Sequence, residues 1–244
     1  MMFRIGLFTV LACFCFSSSL AQNYLVVDST AQPGRILKVE GSRSSLFWQR
    51  SHVKEPLISK IRSLTFLADG EIAFCSGLDR GIRILGKGGE RELHQGGYHA
   101  RQVRIDTNGD LYWSAVETPQ ENNPLQDGFI YRRVAKTGQV EALVTFSQAL
   151  VGKDWWGAFD VRDGQIFVAT LNSPSNVYLL ENAIPKHVAT LPFPVSSFRL
   201  NQDSSLLASD GKGQLLRVPD WKQPDKLEAV LKLETAFADF AVMP

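Results

Sequence analysis

The sequence lacks several features that would assign a class of protein at once. It has no excess of one charge, because 26 Lys+Arg face 25 Asp+Glu, and this argues against a nucleic-acid binder with a basic face. Its apolar runs are shorter than the roughly 20 residues of a transmembrane helix, and no long helical period is present. The four histidines lack the spacing of a zinc site, and no phosphate-binding, dinucleotide-binding or nucleophile-elbow motif occurs. What remains is a globular chain whose 244 residues suit one all-β domain.

The first 21 residues have the pattern of a signal peptide. Arg4 is their only charge, an apolar or small run covers residues 5–16, and Ser19 and Ala21 precede the expected cleavage point. We therefore expect a secreted or periplasmic protein whose mature part, residues 22–244, is a single domain; a lipid anchor on Cys13 is the alternative. Cleavage leaves Cys75 as the one cysteine, in an apolar strand, where a buried hydrophobe is favoured over a nucleophile.

A repeat organises the mature chain. Four times, an alternating strand leads through an Asp/Asn-Gly-type turn into a second strand, which is the strongest short-range signal for a hairpin. Two more strand-like segments follow each hairpin, so each unit has the four strands of a β-propeller blade. The second unit is longer because it carries a polar insertion, residues 117–127. The four turns are centred on Asp69, Asn108, Asp163 and Asp203.

The two ends of the mature chain supply a fifth unit. Residues 237–242 have the pattern of a first strand with no second strand after it, and the mature chain opens directly on segments that read as second, third and fourth strands. Pairing the C-terminal strand with the N-terminal blade would close the ring and remove exposed sheet edges. We predict an all-β, five-bladed propeller of four-stranded blades, with six blades as the alternative.

One unit resembles known propeller families. Residues 103–114, VRIDTNGDLYWS, followed by residues 128–132, GFIYR, resemble a repeat of the NHL, YWTD and gluconolactonase-type propellers. Residues 111–114 read Leu-Tyr-Trp-Ser and so depart from the YWTD tetrad at its last two places. The resemblance implies a propeller, a fold that hosts lectins, hydrolases, receptors and scaffolds. A gluconolactonase-type site further implies a divalent metal held by carboxylate and amide oxygens.

Aligning the five innermost strands on their apolar positions places two columns of side chains along the central channel. The first column is Ser63, Gln102, Ala158, Ser197 and Asp239, and the second is Thr65, Arg104, Asp160, Arg199 and Ala241. We expect the charged members to line the channel and to pair with one another, because charges removed from water need partners. Two carboxylates beside two guanidiniums are a poor ligand set for a metal, so we expect no cofactor, a divalent cation such as Ca²⁺ being the alternative.

Aromatic and polar residues gather before two neighbouring inner strands. Tyr98, His99 and Arg101 precede or open one of them, and Trp155 and Trp156 the next. Propeller ligands usually lie at the face where the innermost strands begin, and exposed Trp and Tyr suit a sugar, a peptide or a partner protein. The alternative is that one tryptophan fills the channel or packs between blades.

These observations favour a monomeric module that binds a protein partner, a carbohydrate or another small molecule, without nucleic acid and without a membrane span. Whether it is also an enzyme stays open. The alternative function is a metal-dependent hydrolase or lactonase of the gluconolactonase type.

Overall fold

The computed structural model describes residues 22–50, 60–76, 80–96, 98–116, 128–146, 156–182, 184–221, 223–224 and 226–244. Within these ranges the regular structure is entirely β, and no helix is long and apolar enough to cross a membrane. The predicted signal peptide, Cys13, the polar insertion 117–127 and Trp155 lie outside the described residues.

The described residues form twenty strands in five sheets of four. Blade 1 contains β1 (Asn23–Asp28), β2 (Arg35–Glu40), β3 (Arg43–Gln49) and β20 (Phe237–Val242). Blade 2 contains β4 (Ile61–Phe66), β5 (Ile72–Ser76), β6 (Gly81–Gly86) and β7 (Gly89–Gln95). Blade 3 contains β8 (His99–Ile105), β9 (Leu111–Val116), β10 (Gly128–Arg133) and β11 (Val140–Phe146). Blade 4 contains β12 (Trp156–Arg162), β13 (Gln165–Thr170), β14 (Ser175–Glu181) and β15 (Ile184–Leu191). Blade 5 contains β16 (Ser197–Leu200), β17 (Leu206–Ser209), β18 (Gln214–Val218) and β19 (Glu228–Lys232).

Each blade is an antiparallel meander, and blade 1 is completed by the far end of the chain. There β20 pairs with β1, with Tyr24 opposite Val242 and Leu25 opposite Ala241. The pairing gives β1 a partner on both sides, so the ring closes without leaving that strand as an edge. The predicted five-bladed propeller and its mode of closure are confirmed, and the six-bladed alternative is wrong.

The hydrophobic core is divided into five clusters, one at each junction between neighbouring blades. Side chains alternate between the two faces of a strand, so one strand feeds two clusters. In β1, Tyr24 and Val26 pack towards blade 5, whereas Leu25 and Val27 pack towards blade 2. A blade is therefore buried on both faces, which explains why its inner strands read as almost continuously apolar.

The predicted inner hairpin turns are present, but they are of two kinds. At Asp163 and Gly164 both residues have positive φ (50° and 75°), as a two-residue turn of the right twist requires. The other three turns are longer loops in which one residue has positive φ: Gly70, Gly109 and Ser204. The two kinds of turn therefore differ in whether the positive φ falls on two adjacent residues or on one.

One turn residue ties blade 3 to blade 4. The Asp106 carboxylate accepts the backbone N–H groups of Asp163 (2.9 Å) and Gly164 (2.9 Å), which belong to the inner turn of the next blade. It also accepts the N–H of Thr107 at 2.8 Å. A side chain that satisfies amides on two blades fixes their relative position as well as its own turn.

Replacing Asp106 with alanine is expected to lower the free energy of unfolding by about 1–3 kcal/mol, because the amides of Asp163 and Gly164 lose their acceptor. Urea denaturation of both proteins measures the difference. Asp69→Ala is the matched control, since exposed Asp69 accepts the N–H of Glu71 within its own turn and contacts no other blade among the described residues. Equal losses for the two variants would show that Asp106 does not link the blades.

Candidate functional site

The innermost strands β20, β4, β8, β12 and β16 surround the axis, and each contributes polar side chains to it. Because these strands belong to separate sheets, side chains must join them where no backbone ladder does. At four of the five junctions, a side-chain oxygen of one inner strand accepts a backbone N–H of the next. The pairs are Ser63 with Val103 (3.0 Å), Gln102 with Phe159 (2.9 Å), Asp160 with Leu200 (2.7 Å) and Asp239 with Leu64 (3.2 Å).

At the fifth junction Arg199 donates to the carbonyl of Phe240 at 2.7 Å. The ring of contacts is therefore continuous around the axis. We name it the axial girdle, formed by Ser63, Gln102, Arg104, Asp160, Ser197, Arg199 and Asp239.

Asp239 is the centre of the girdle. Its carboxylate is fully buried and lies 3.0 Å from Arg104 Nη1 and 3.3 Å from Arg199 Nη2. The hydroxyls of Ser63 and Ser197 also donate to it. Four side chains from three other blades, with the N–H of Leu64, thus donate to one carboxylate, which is the arrangement that a buried charge needs.

Arg104 links the two carboxylates of the channel. Its side chain is 1% exposed, and its Nε lies 3.6 Å from Asp160 Oδ1 while donating to the carbonyl of Phe159 at 2.9 Å. The four charged residues predicted to line the channel, Arg104, Asp160, Arg199 and Asp239, are brought together at the axis with two charges of each sign.

The two carboxylates respond to this environment in opposite directions. Burial alone would raise the pKa of Asp239, but Arg104 and Arg199, with the hydroxyls of Ser197 and Ser63, lower it to about 2. For Asp160 burial is the larger effect, and its pKa is raised although Arg199 and Arg104 oppose the shift. Burial, aided by Arg199, lowers the pKa of Arg104 to about 10.

The axial residues do not suit the divalent cation that a gluconolactonase-type site implies. Asp239 and Asp160 are already engaged by guanidinium groups, and a cation placed between them would face the positive charges of Arg104 and Arg199. Among the described residues, no group of three or more His, Cys, Asp or Glu side chains is arranged to hold a metal.

A cavity of about 350 Å³ opens at the end of the channel where the inner strands finish. All five members of the second predicted column line it: Thr65, Arg104, Asp160, Arg199 and Ala241. Residues of the inner turns, such as Thr107 and Gln202, form its rim. We expected the binding face at the other end, where the inner strands begin. The channel is open at the end near the inner hairpin turns because the side chains of Thr65 and Ala241 are short. Further along the axis, the side chains of the girdle fill it.

The predicted surface patch is described in part. His99 is the first residue of β8 and pairs with Val116, Arg101 follows two residues later, and Trp156 is the first residue of β12. Tyr98 is half-buried, and its ring stacks on Phe129 with centroids 4.4 Å apart. These residues therefore lie at the starts of neighbouring inner strands, as the sequence indicated, while Trp155 lies outside the described residues.

Tyr98 also borders an aromatic cleft that the sequence did not reveal. The cleft measures about 190 Å³ and lies between blades 2 and 3, with His94, Trp113 and Tyr131 in its walls. Trp113 stacks on Tyr131 (5.5 Å) and contacts His94 (4.9 Å). Burial, with Arg133, lowers the pKa of His94, so its imidazole is neutral at neutral pH. The alternating Phe129 and Tyr131 of β10, close in sequence to Trp113 of β9, were the signal available for this cleft.

No protein family model and no curated protein sequence matches the chain. Among solved structures, a chain of a nidogen–laminin complex is similar over 91% of this chain and 98% of its own length, with a TM-score of 0.60 and 12% identity. A protein of unknown function from Bacteroides caccae is similar over 91% of this chain and 99% of its own length, with a TM-score of 0.54 and 14% identity. A gluconolactonase from Xanthomonas campestris is similar over 90% of this chain and 79% of its own length, with a TM-score of 0.54 and 12% identity.

At sequence identities this low, structural similarity demonstrates a shared fold and does not assign a function. The resemblance drawn from residues 103–114 and 128–132 holds at that level: the chain shares the β-propeller fold of these solved structures.

Proposed function

We propose that the protein is a secreted or periplasmic, monomeric binding module, which holds a small molecule, a carbohydrate or a protein partner at the face where its inner strands begin. The observation that carries the proposal is the axial girdle: the carboxylates on which a metal-dependent hydrolase would depend are neutralised by Arg104 and Arg199. The half-buried aromatic surface around Tyr98, with the cleft beside it, offers rigid contact area at the proposed face.

The gluconolactonase-type hydrolase is the competing function, and it is supported by one of the fold neighbours. It requires a cation near Asp160 and Asp239, where the girdle places two guanidiniums. We therefore expect that millimolar Ca²⁺ will leave the melting temperature unchanged and that sugar lactones will not be hydrolysed faster than in buffer. Calcium-dependent hydrolysis that Asp239→Asn abolishes, in a variant shown to be folded, would overturn the binding proposal.

The binding role is tested by a thermal-shift screen of sugars and peptides, followed by titration calorimetry on each positive. Tyr98→Ala, Trp155→Ala and Trp156→Ala are expected to weaken a detected ligand at least tenfold, because truncating a central aromatic anchor costs about 2 kcal/mol or more. Phe47→Ala is the matched control, since this ring is 44% exposed on the outer strand of blade 1. Unchanged affinity in all three patch variants would refute the proposal that this patch binds the ligand.

A further inference from the structure

Two inner strands begin with an irregularity that leaves one arginine without an opposite residue. In blade 2, Ile61 pairs with Ser76 and Ser63 with the preceding Cys75, so Arg62 is an extra residue. In blade 3, the same shift between Ala100 and Gln102 leaves Arg101. A β-bulge of this kind re-aims the side chain of the inserted residue.

The bulges also reset the alternation of the strands. Ile61 packs in the same core cluster as Leu64, and Ala100 in the same cluster as Val103, although residues three apart face opposite ways in a regular strand. Arg62 and Arg101 therefore occupy equivalent places on neighbouring blades, each directly before a girdle residue, Ser63 or Gln102. Arg101 belongs to the predicted patch. Arg62 was missed, and the apolar spacing of three around it was the signal for its bulge.

The two guanidiniums have no counter-charge within the part of the chain that the structure describes. There, neither Arg62 nor Arg101 forms a hydrogen bond or an ion pair, and Arg62 Nε is buried without an acceptor. Burial lowers the pKa of Arg101, and the nearby charge of Arg62 lowers it further. Buried donors without acceptors are rare in native proteins, and each calls for a ligand, a water or an ion that would satisfy it.

The corresponding places on the other inner strands hold small residues. They are Gly157 in blade 4, Ser196 beside the start of β16 in blade 5, and Ala238 in blade 1. Among these five equivalent places, Arg62 and Arg101 therefore carry the two charged side chains, and they lie on neighbouring blades.

We propose that Arg62 and Arg101 together bind an oxyanion, the carboxylate, sulfate or phosphate group of a ligand, at the mouth of the channel. The inference rests on the proposed binding role and names the chemistry of what is bound. Guanidinium groups present forked donors that match planar or tetrahedral oxyanions, and two of them on separate blades provide donors from two directions. An oxyanion would give Arg62 Nε an acceptor and offset the repulsion between the two cations.

The test is a thermal-shift titration with sodium citrate, sodium sulfate and sodium phosphate against sodium chloride at equal ionic strength. At a tenfold excess over Kd, a bound oxyanion is expected to raise the melting temperature by about 3–6 °C. Arg62→Gln and Arg101→Gln should each weaken the affinity at least tenfold. In chloride, Arg101→Gln should be at least as stable as the parent, since one of two unpaired like charges is gone. The probe that gives the tightest binding distinguishes a carboxylate ligand from a sulfated or phosphorylated one.

Arg43→Gln is the matched control, because Arg43 is exposed on the outer strand of blade 1 and shares only the general salt effect. The proposal would be overturned if an oxyanion raised the melting temperature equally in the parent and its three glutamine variants, or if no oxyanion raised it at all. So would a ligand from the sugar and peptide screen that binds both glutamine variants unchanged while Tyr98→Ala loses it; that result would leave the binding role intact. Calcium-dependent lactone hydrolysis would instead refute the proposed binding role on which this inference rests.

Discussion

Asp239→Asn is expected to lower the free energy of unfolding by about 3–5 kcal/mol, a large share of the stability of a domain. The substitution preserves shape and removes only the charge. Arg104, whose side chain is 1% exposed, and Arg199, whose side chain is 13% exposed, then lose their shared counter-ion while remaining in the channel. An asparagine also offers one carbonyl oxygen where the carboxylate receives donors on both of its oxygens. Equilibrium denaturation in urea measures the loss.

The pH dependence of stability provides a second measurement on the same pair of proteins. The pKa of Asp239 is about 2 in the folded protein, against an ordinary value of 3.8. Its contribution is therefore fully present above pH 3.8 and is lost as the pH falls towards 2. Asp160, whose pKa is raised, works in the opposite direction but is present in both proteins. The stability difference between parent and variant should hence shrink between pH 4 and pH 2.

Glu40→Gln serves as the control for a carboxylate outside the girdle. Glu40 is exposed on blade 1, and its ion pair with Lys38 (2.6 Å) lies at the surface. Its removal should change stability by less than about 0.5 kcal/mol. A loss below about 1 kcal/mol for Asp239→Asn, or a difference that does not depend on pH, would show that the girdle does not hold the ring together.

Ending the chain at Ala236 is expected to abolish cooperative folding. The truncation removes β20, so β1 becomes an open edge and the core clusters on both sides of blade 1 lose Phe237, Phe240 and Ala241. It removes Asp239 as well, which leaves Arg104 and Arg199 with Asp160 as the one remaining carboxylate of the girdle. A propeller with three strands in one blade cannot bury the faces of its neighbours, so the protein should lack a sharp thermal transition and should aggregate.

The matched control is a chain that ends at Met243, which lacks only the exposed Pro244 and keeps every residue of β20. It should melt within about 1 °C of the parent, in line with the small effect of surface changes. Calorimetry and size-exclusion chromatography compare the proteins. A cooperative, monomeric transition for the chain ending at Ala236 would mean that the ring does not depend on its closing strand.

Local signals in the sequence were enough to predict the blades, because each inner hairpin carries its own turn residues. Asp163 and Gly164, for example, adopt the positive φ values that their dipeptide favours. The closing strand was predictable because residues 237–242 repeat the inner-strand pattern without a partner after them. The two axial columns were predictable because apolar residues alternate with polar ones, which fixed the position of Asp239 relative to Ser63.

Features that depend on pairing between strands were not predictable in this way. A bulge is defined by the opposite strand, so the apolar spacing of three around Arg62 and Arg101 identifies one only once Ser63 is placed opposite Cys75 and Gln102 opposite Ser114. The bond from Asp106 to the next blade joins residues more than fifty positions apart, and no local pattern reports it. Likewise, which end of the channel stays open depends on how far the side chains of Arg104 and Gln102 extend across the channel, and the sequence does not report this.

The position of Asp239 in chain order has a consequence for biosynthesis. The strand that bears it is synthesised after the other nineteen, yet this carboxylate receives donors from blades 2, 3 and 5. Until it is made, the guanidiniums of Arg104 and Arg199 share the single girdle carboxylate of Asp160, so the unfinished girdle carries one excess positive charge. The charges of the axial girdle are thus balanced only once β20 is in place, and we expect its docking to be a late step in folding.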